Sequence, residues 1–117
     1  MFVEEAIHPC FEQANSTSFV YKVPADFPAF KGHFEGHPLL PAIGQLAFCT
    51  DAASRLLGKP VEIQAIKRAK FVGPVLPDTR LEIGFMLRAD GWYSVELTEP
   101  DHKKKISQFI LQFVERK

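Results

Sequence analysis

The residues best suited to chemistry lie together in Lys31 to Thr50, KGHFEGHPLLPAIGQLAFCT. His33 stands between Gly32 and Phe34, ahead of a turn at Gly36-His37-Pro38 and an apolar run opened by Pro41. Imidazole is the side chain that exchanges protons near neutral pH. Held in a turn just before a buried helix, it suits proton-transfer chemistry; the plainer alternative is a turn histidine hydrogen-bonded to backbone. The two cysteines offer less. Cys10 and Cys49 are far apart in sequence and form neither a CxxC pair nor a Cys/His cluster, so no metal site or disulfide framework is expected. Cys49 sits at core spacing in the apolar run with no paired base to make it a nucleophile.

Several elements must position this stretch. Pro41 suits the first turn of a helix, where its missing N–H is not needed. Ile43, Leu46, Ala47, Thr50, Ala53, Ser54 and Leu57 recur at three- and four-residue spacing, and Leu39, Leu40, Phe48, Cys49 and Ala52 widen the apolar surface. The pattern predicts a helix from Pro41 to about Leu57, roughly 25 Å long and largely enclosed. Gly58 is its natural C-terminal cap, with Pro60 following. Upstream, Phe2 to Phe11 is a short segment broken by Pro9, Ser18–Val23 alternates as a strand, and Pro24 to Pro38 is a structured loop.

Downstream the period changes to two. Val61 to Val72 reads as a strand with a kink, and Arg80 to Ala89 as a clear strand with Leu81, Ile83, Phe85 and Leu87 in phase. Asp90-Gly91 signals a two-residue hairpin. Trp92 to Thr98 returns with Tyr93, Val95 and Leu97 in phase, and Ile106 to Glu115 is a final strand. One long helix followed by an antiparallel meander predicts an α+β fold with the antiparallel sheet wrapped around one long central helix.

Composition narrows the functional classes. A chain of 117 residues is expected to form a single domain over 1–117. A domain of this size has enough core to fold and gains from oligomerisation. Fourteen basic residues balance 14 acidic ones, so no global field draws the chain to nucleic acid. The acidic N-terminus, MFVEEAIHPCFEQ, is unlike a signal peptide, and no run reaches the length of a membrane span; a cytoplasmic location is the expectation.

The stretch GHFEGHPLLPAIGQL resembles the active-site signature of the hot-dog-fold 3-hydroxyacyl-[acyl-carrier-protein] dehydratases, roughly GHFPGxPxMPGxxQxE. KFVGPVLPDTRL, Lys70 to Leu81, resembles the same family's KFxxPVxPGDxL segment. Both keep the family's order and spacing, and with their strands they span the chain from about Ser18 onward. The short chain and its HPLLP wording are similar to the small dehydratase-like proteins of aryl polyene pathways. The resemblance implies a hot-dog homodimer, or a higher oligomer or heterodimer, with active sites at the subunit interface. It implies a substrate carried on the phosphopantetheine arm of acyl carrier protein, or an acyl-CoA thioester, in fatty-acid or polyene synthesis, with no further cofactor, no metal and no nucleic acid. The implied reaction is loss of water from a 3-hydroxyacyl thioester.

Matched residue by residue, His33 takes the place of the family base. Phe34 and Gly36 fall on the turn, Pro38 and Pro41 on the two prolines, and Gln45 on the glutamine. Ala42 replaces the glycine whose backbone N–H helps bind the thioester carbonyl; only the N–H is needed. Phe34, Gly36, Pro41, Ala42 and Gln45 are thus the expected substrate-binding residues. Ala47 is the departure that matters, because it stands where the family carries Glu or Asp, and a methyl group donates no proton. Asp51, one helical turn on, is the first substitute acid, against a plain ion pair with Arg55 (also i, i+4) or a solvated carboxylate. Glu35 replaces the usual proline and either orients the imidazole, supplies the acid or lies on the loop surface. His37 is a turn residue or touches substrate. Lys67, Arg68 and Lys70 are either solvated charge or a dock for an acidic carrier protein. The Phe-rich strands are core or acyl-tunnel lining. Two alternatives to a dehydratase follow: an acyl-thioester-binding subunit that has lost the helix acid, and a hot-dog acyl thioesterase.

Overall fold

The computed structural model describes residues 2–30 and 40–117. The chain opens with a short helix α1 (Phe2–Ile7) and a 3-10 turn (His8–Cys10), followed by strands β1 (Phe11–Asn15) and β2 (Ser18–Val23) and a second 3-10 turn (Pro28–Phe30). The long helix α2 (Ala42–Leu57) leads to β3 (Val61–Phe71), β4 (Thr79–Leu87), β5 (Tyr93–Glu99) and β6 (Lys104–Glu115). All six strands form one sheet in the order β1-β2-β4-β5-β6-β3, and every neighbouring pair is antiparallel. One long central helix with a single antiparallel sheet is the arrangement the sequence predicts. β3 jumps to the far side of β6, leaving its own outer edge unpaired among the described residues.

Burial follows from the two periodicities. Leu81, Ile83 and Phe85 of β4, and Val95 and Leu97 of β5, point into the core at every second position. Gly44, Gln45, Phe48, Cys49, Ala52 and Ala53 form the buried face of α2. Ala52 and Ala53 let the helix approach the sheet closely, and Phe48 fills the remaining space, its ring centroid 5.2 Å from both Tyr21 and Phe27. Gly58 ends the helix in the left-handed region at φ 69°, its N–H donating to the Ser54 carbonyl. The Ser54 hydroxyl then accepts the Val61 N–H at 3.1 Å, so the last turn of α2 fixes where β3 begins. Two register shifts against β6, at Ile63/Ala65 and Ile66/Arg68, supply the expected kink in β3 and strengthen its twist.

Three expectations change in detail. The helix is enclosed on one face only: Ala42 is exposed and Ile43 is 72% exposed, because the sheet of one chain covers one side. The hairpin between β4 and β5 is not a two-residue loop. Arg88 N–H donates to the Trp92 carbonyl, leaving Ala89, Asp90 and Gly91 as a three-residue loop with Gly91 at φ 87°. This is a type I turn closed by a left-handed glycine, the other loop that Asp-Gly serves well. Leu87, in phase with the core by sequence, is 62% exposed because its strand ends beyond the helix that covers Leu81 to Phe85.

Candidate functional site

The sequence-derived site falls in two parts. His33, Phe34, Glu35 and Gly36, with His37 and Pro38, lie outside the described residues. The structure does place both ends of that stretch: Phe30 and Leu40 are buried in the core, and the Leu40 N–H donates to the Val75 carbonyl at 2.9 Å. Val75 belongs to KFVGPVLPDTRL, so this one bond joins the two segments that carry the resemblance. Pro41 caps α2 in an extended conformation and Ala42 opens the helix. The first backbone N–H groups of a helix have no intrahelical acceptor and point out along its axis, and Ala42 is the first residue of α2.

Gln45 is buried in the first turns of α2. Its side-chain oxygen accepts the Ser107 hydroxyl of β6 at 2.7 Å, and its amide nitrogen donates to the Leu40 carbonyl at 3.5 Å. Those bonds satisfy a polar group that would be costly to bury alone. They tie the helix start to the sheet, so within this chain Gln45 positions Pro41 and Ala42.

The second part lies further along α2. A groove of about 420 Å³ is lined there by Ile7 and His8 and by Ala47, Thr50, Asp51 and Arg55 of the helix. Asp51 is 8% exposed and fully engaged. Tyr21 donates to its Oδ2 at 2.6 Å, Arg55 Nε donates to the same oxygen at 2.9 Å, and His8 Nδ1 lies 2.8 Å from Oδ1. The expected Arg55 pair is therefore present, within a larger network. The Arg55 guanidinium also stacks on Phe11, 3.9 Å from the ring centroid. Burial and the bond to Asp51 hold the Tyr21 phenol well above its usual range, so it stays a donor. Burial, with the charges of Asp26 and Asp51, pushes the Cys10 thiol up to about 11, and burial raises Cys49 further still. Neither thiol is a nucleophile at neutral pH.

His8 is the residue that sequence reasoning passed over. It sits in a 3-10 turn, HPC, with no motif around it, and its partner Asp51 lies on another element. Among the described residues no group of three or more metal-ligating side chains is assembled. Among the described residues no helix is long and apolar enough to cross a membrane. On β3, Lys67 pairs with Asp90 at 3.2 Å and packs over Trp92, while Arg68 and Lys70 are exposed.

Comparison with known proteins gives a consistent picture. A family model described as ApeI-like, ApeI dehydratase, matches residues 10–109. The 3-hydroxyacyl-[acyl-carrier-protein] dehydratase FabZ of Campylobacter hominis is 38% identical over 63 residues, covering 45% of this chain and 43% of that protein. The FabZ of Nitratiruptor sp. is 32% identical over 84 residues, covering 61% of this chain and 57% of that one. The chain thus spans about half the length of the curated relatives it matches. Among solved structures, the dehydratase heterocomplex ApeI:P from Xenorhabdus doucetiae superimposes with a TM-score of 0.72 at 20% identity, covering 90% of this chain and 94% of that one. That likeness establishes the hot-dog fold.

Proposed function

The chain belongs to the ApeI-like dehydratase family, and from that membership we propose that it removes water from a 3-hydroxyacyl thioester carried on the phosphopantetheine arm of an acyl carrier protein. The observation that carries this reading is the GHFEGHPLLPAIGQL stretch, with His33 in the family base position, running directly into the helix start that Gln45 and Leu40 hold in place. In this reaction His33 takes the proton beside the thioester carbonyl. The Ala42 N–H and its neighbours at the helix start stabilise the enolate oxygen as charge develops. Phe34, Gly36 and Pro41 are assigned to substrate binding by their match to the family signature.

Assembly into a dimer belongs to the same reading. β3 presents eleven residues with an outer edge unpaired among the described residues, and Ile66 at its centre is 48% exposed. An open edge of that length is a template for another strand. Antiparallel pairing of β3 with its copy about a two-fold axis near Ile66 would also bring cover to the exposed flank of α2 around Ile43. Ile66→Lys sets two like charges opposite each other at that axis, and is expected to convert a dimer to a monomer in sedimentation velocity without loss of helical or strand signal in circular dichroism. An unchanged sedimentation coefficient would place the interface elsewhere. Exposed Arg68 and Lys70 on the same strand suit an acidic carrier protein.

Ala47 favours a second reading, an acyl-thioester-binding subunit that depends on an active homologue, and the heterocomplex among the fold neighbours lends it support. One assay separates the readings. The protein is given 3-hydroxyacyl and plain acyl thioesters, and enoyl product and free thiol are followed together. Enoyl formation is expected from the 3-hydroxyacyl substrate alone. Binding without turnover supports the subunit reading, and thiol release supports thioester hydrolysis.

A further inference from the structure

Resting on the dehydratase reading, one role lacks its family residue: the donor that protonates the departing hydroxyl, whose position is taken by the methyl of Ala47. We infer that His8 is that donor. It lines the same groove as Ala47, and its ring is fixed from behind. Nδ1 lies 2.8 Å from Asp51 Oδ1, while Tyr21 and Arg55 hold the other oxygen of that carboxylate. A carboxylate on one ring nitrogen sets the orientation and tautomer of an imidazole and leaves the other nitrogen for chemistry. Among the described residues Nε2 has no partner, and the side chain is 68% exposed while Asp51 is 8% exposed. Asp51 is then the positioning residue and His8 the catalytic one, a division of labour that the sequence spacing of Asp51 from Ala47 does not suggest. The other charged groups lining the groove are Arg55 on α2, Lys59 just beyond it and Arg116 beyond β6.

The step balances without a further reactant. His33 takes the C2 proton, and the C2–H pair becomes the C2=C3 double bond. The C3–O bond breaks with its electrons on oxygen, which takes the Nε2 proton of His8 and leaves as water. His33 ends protonated and His8 neutral, and exchange with solvent restores both.

A tether of the N-terminal turn to α2 would need only the Nδ1 contact, which an asparagine amide reproduces. His8→Asn therefore separates the tether from the acid. With a 3-hydroxyacyl N-acetylcysteamine thioester as probe, His8→Asn is expected to lower kcat about 10²-fold, the range for loss of a positioned acid, with KM and Tm unchanged. Adding Ala47→Glu to His8→Asn places a carboxylic acid on the helix facing the same groove and is expected to recover at least about tenfold of the loss. Wild-type kcat in His8→Asn overturns the proposal. So does a fall in kcat that tracks a fall in Tm and is not recovered by Ala47→Glu. If the wild-type protein forms no enoyl product, the dehydratase reading fails and takes this role with it; the Asn variant alone cannot produce that result.

Discussion

His33→Ala is expected to lower enoyl formation by about 10²–10⁴-fold, the contribution of a positioned general base. The C2 proton next to a thioester is a weak acid, and without a base in the turn its removal falls to water. The effect is expected in kcat with little change in KM, because the imidazole acts as the proton moves, whereas the acyl chain and pantetheine are held by other groups. Tm should stay close to wild type, since the anchors of this stretch are Phe30 and Leu40. An unchanged kcat in His33→Ala would remove the base from the proposed mechanism. A comparable loss in Glu35→Gln with His33→Ala inert would transfer that role to Glu35.

The largest expected effect on stability comes from Phe48→Ala. Phe48 is fully buried on α2 and packs edge-on against Tyr21 and at a tilt against Phe27. Truncating a buried phenylalanine costs about 3–5 kcal/mol, from lost transfer energy and the cavity left behind. A domain of this size commonly has only about 5–15 kcal/mol in total, so the variant should melt more than about 10 °C lower. The cavity also lies directly behind Tyr21, whose hydroxyl holds Asp51. Phe48→Leu keeps most of the volume and should lose far less. A small shift in Phe48→Ala would mean that the aromatic cluster closes over the gap.

The helix and the central strands could be read from sequence because each carries its own period. Leu81, Ile83 and Phe85 alternate whatever lies beside them, and Pro41 and Gly58 mark the helix ends by their own backbone preferences. What covers each surface is a different kind of information. The apolar run around Ile43 says that something packs there, and only the fold shows that the chain's own sheet does not. The same limit applies to the Asp51 network. The i, i+4 spacing to Arg55 is local and visible, whereas His8 and Tyr21 reach Asp51 only once α1 and β2 are folded against α2. His8 therefore had no signal in the sequence. His33 stands out in the sequence through its motif, while its place in space lies outside the described residues.

The bond from Leu40 to the Val75 carbonyl has a consequence beyond the local geometry. Leu40 stands at the threshold of the helix, and Val75 sits in the short link between β3 and β4. The length of that link acts as a ruler for the height of the first helical turn above the sheet. Residues 72–78 never need to meet a substrate to matter to it. Their spacing sets where the start of α2 stands above the sheet. That is a physical reason for KFVGPVLPDTRL and GHFEGHPLLPAIGQL to travel together as one unit.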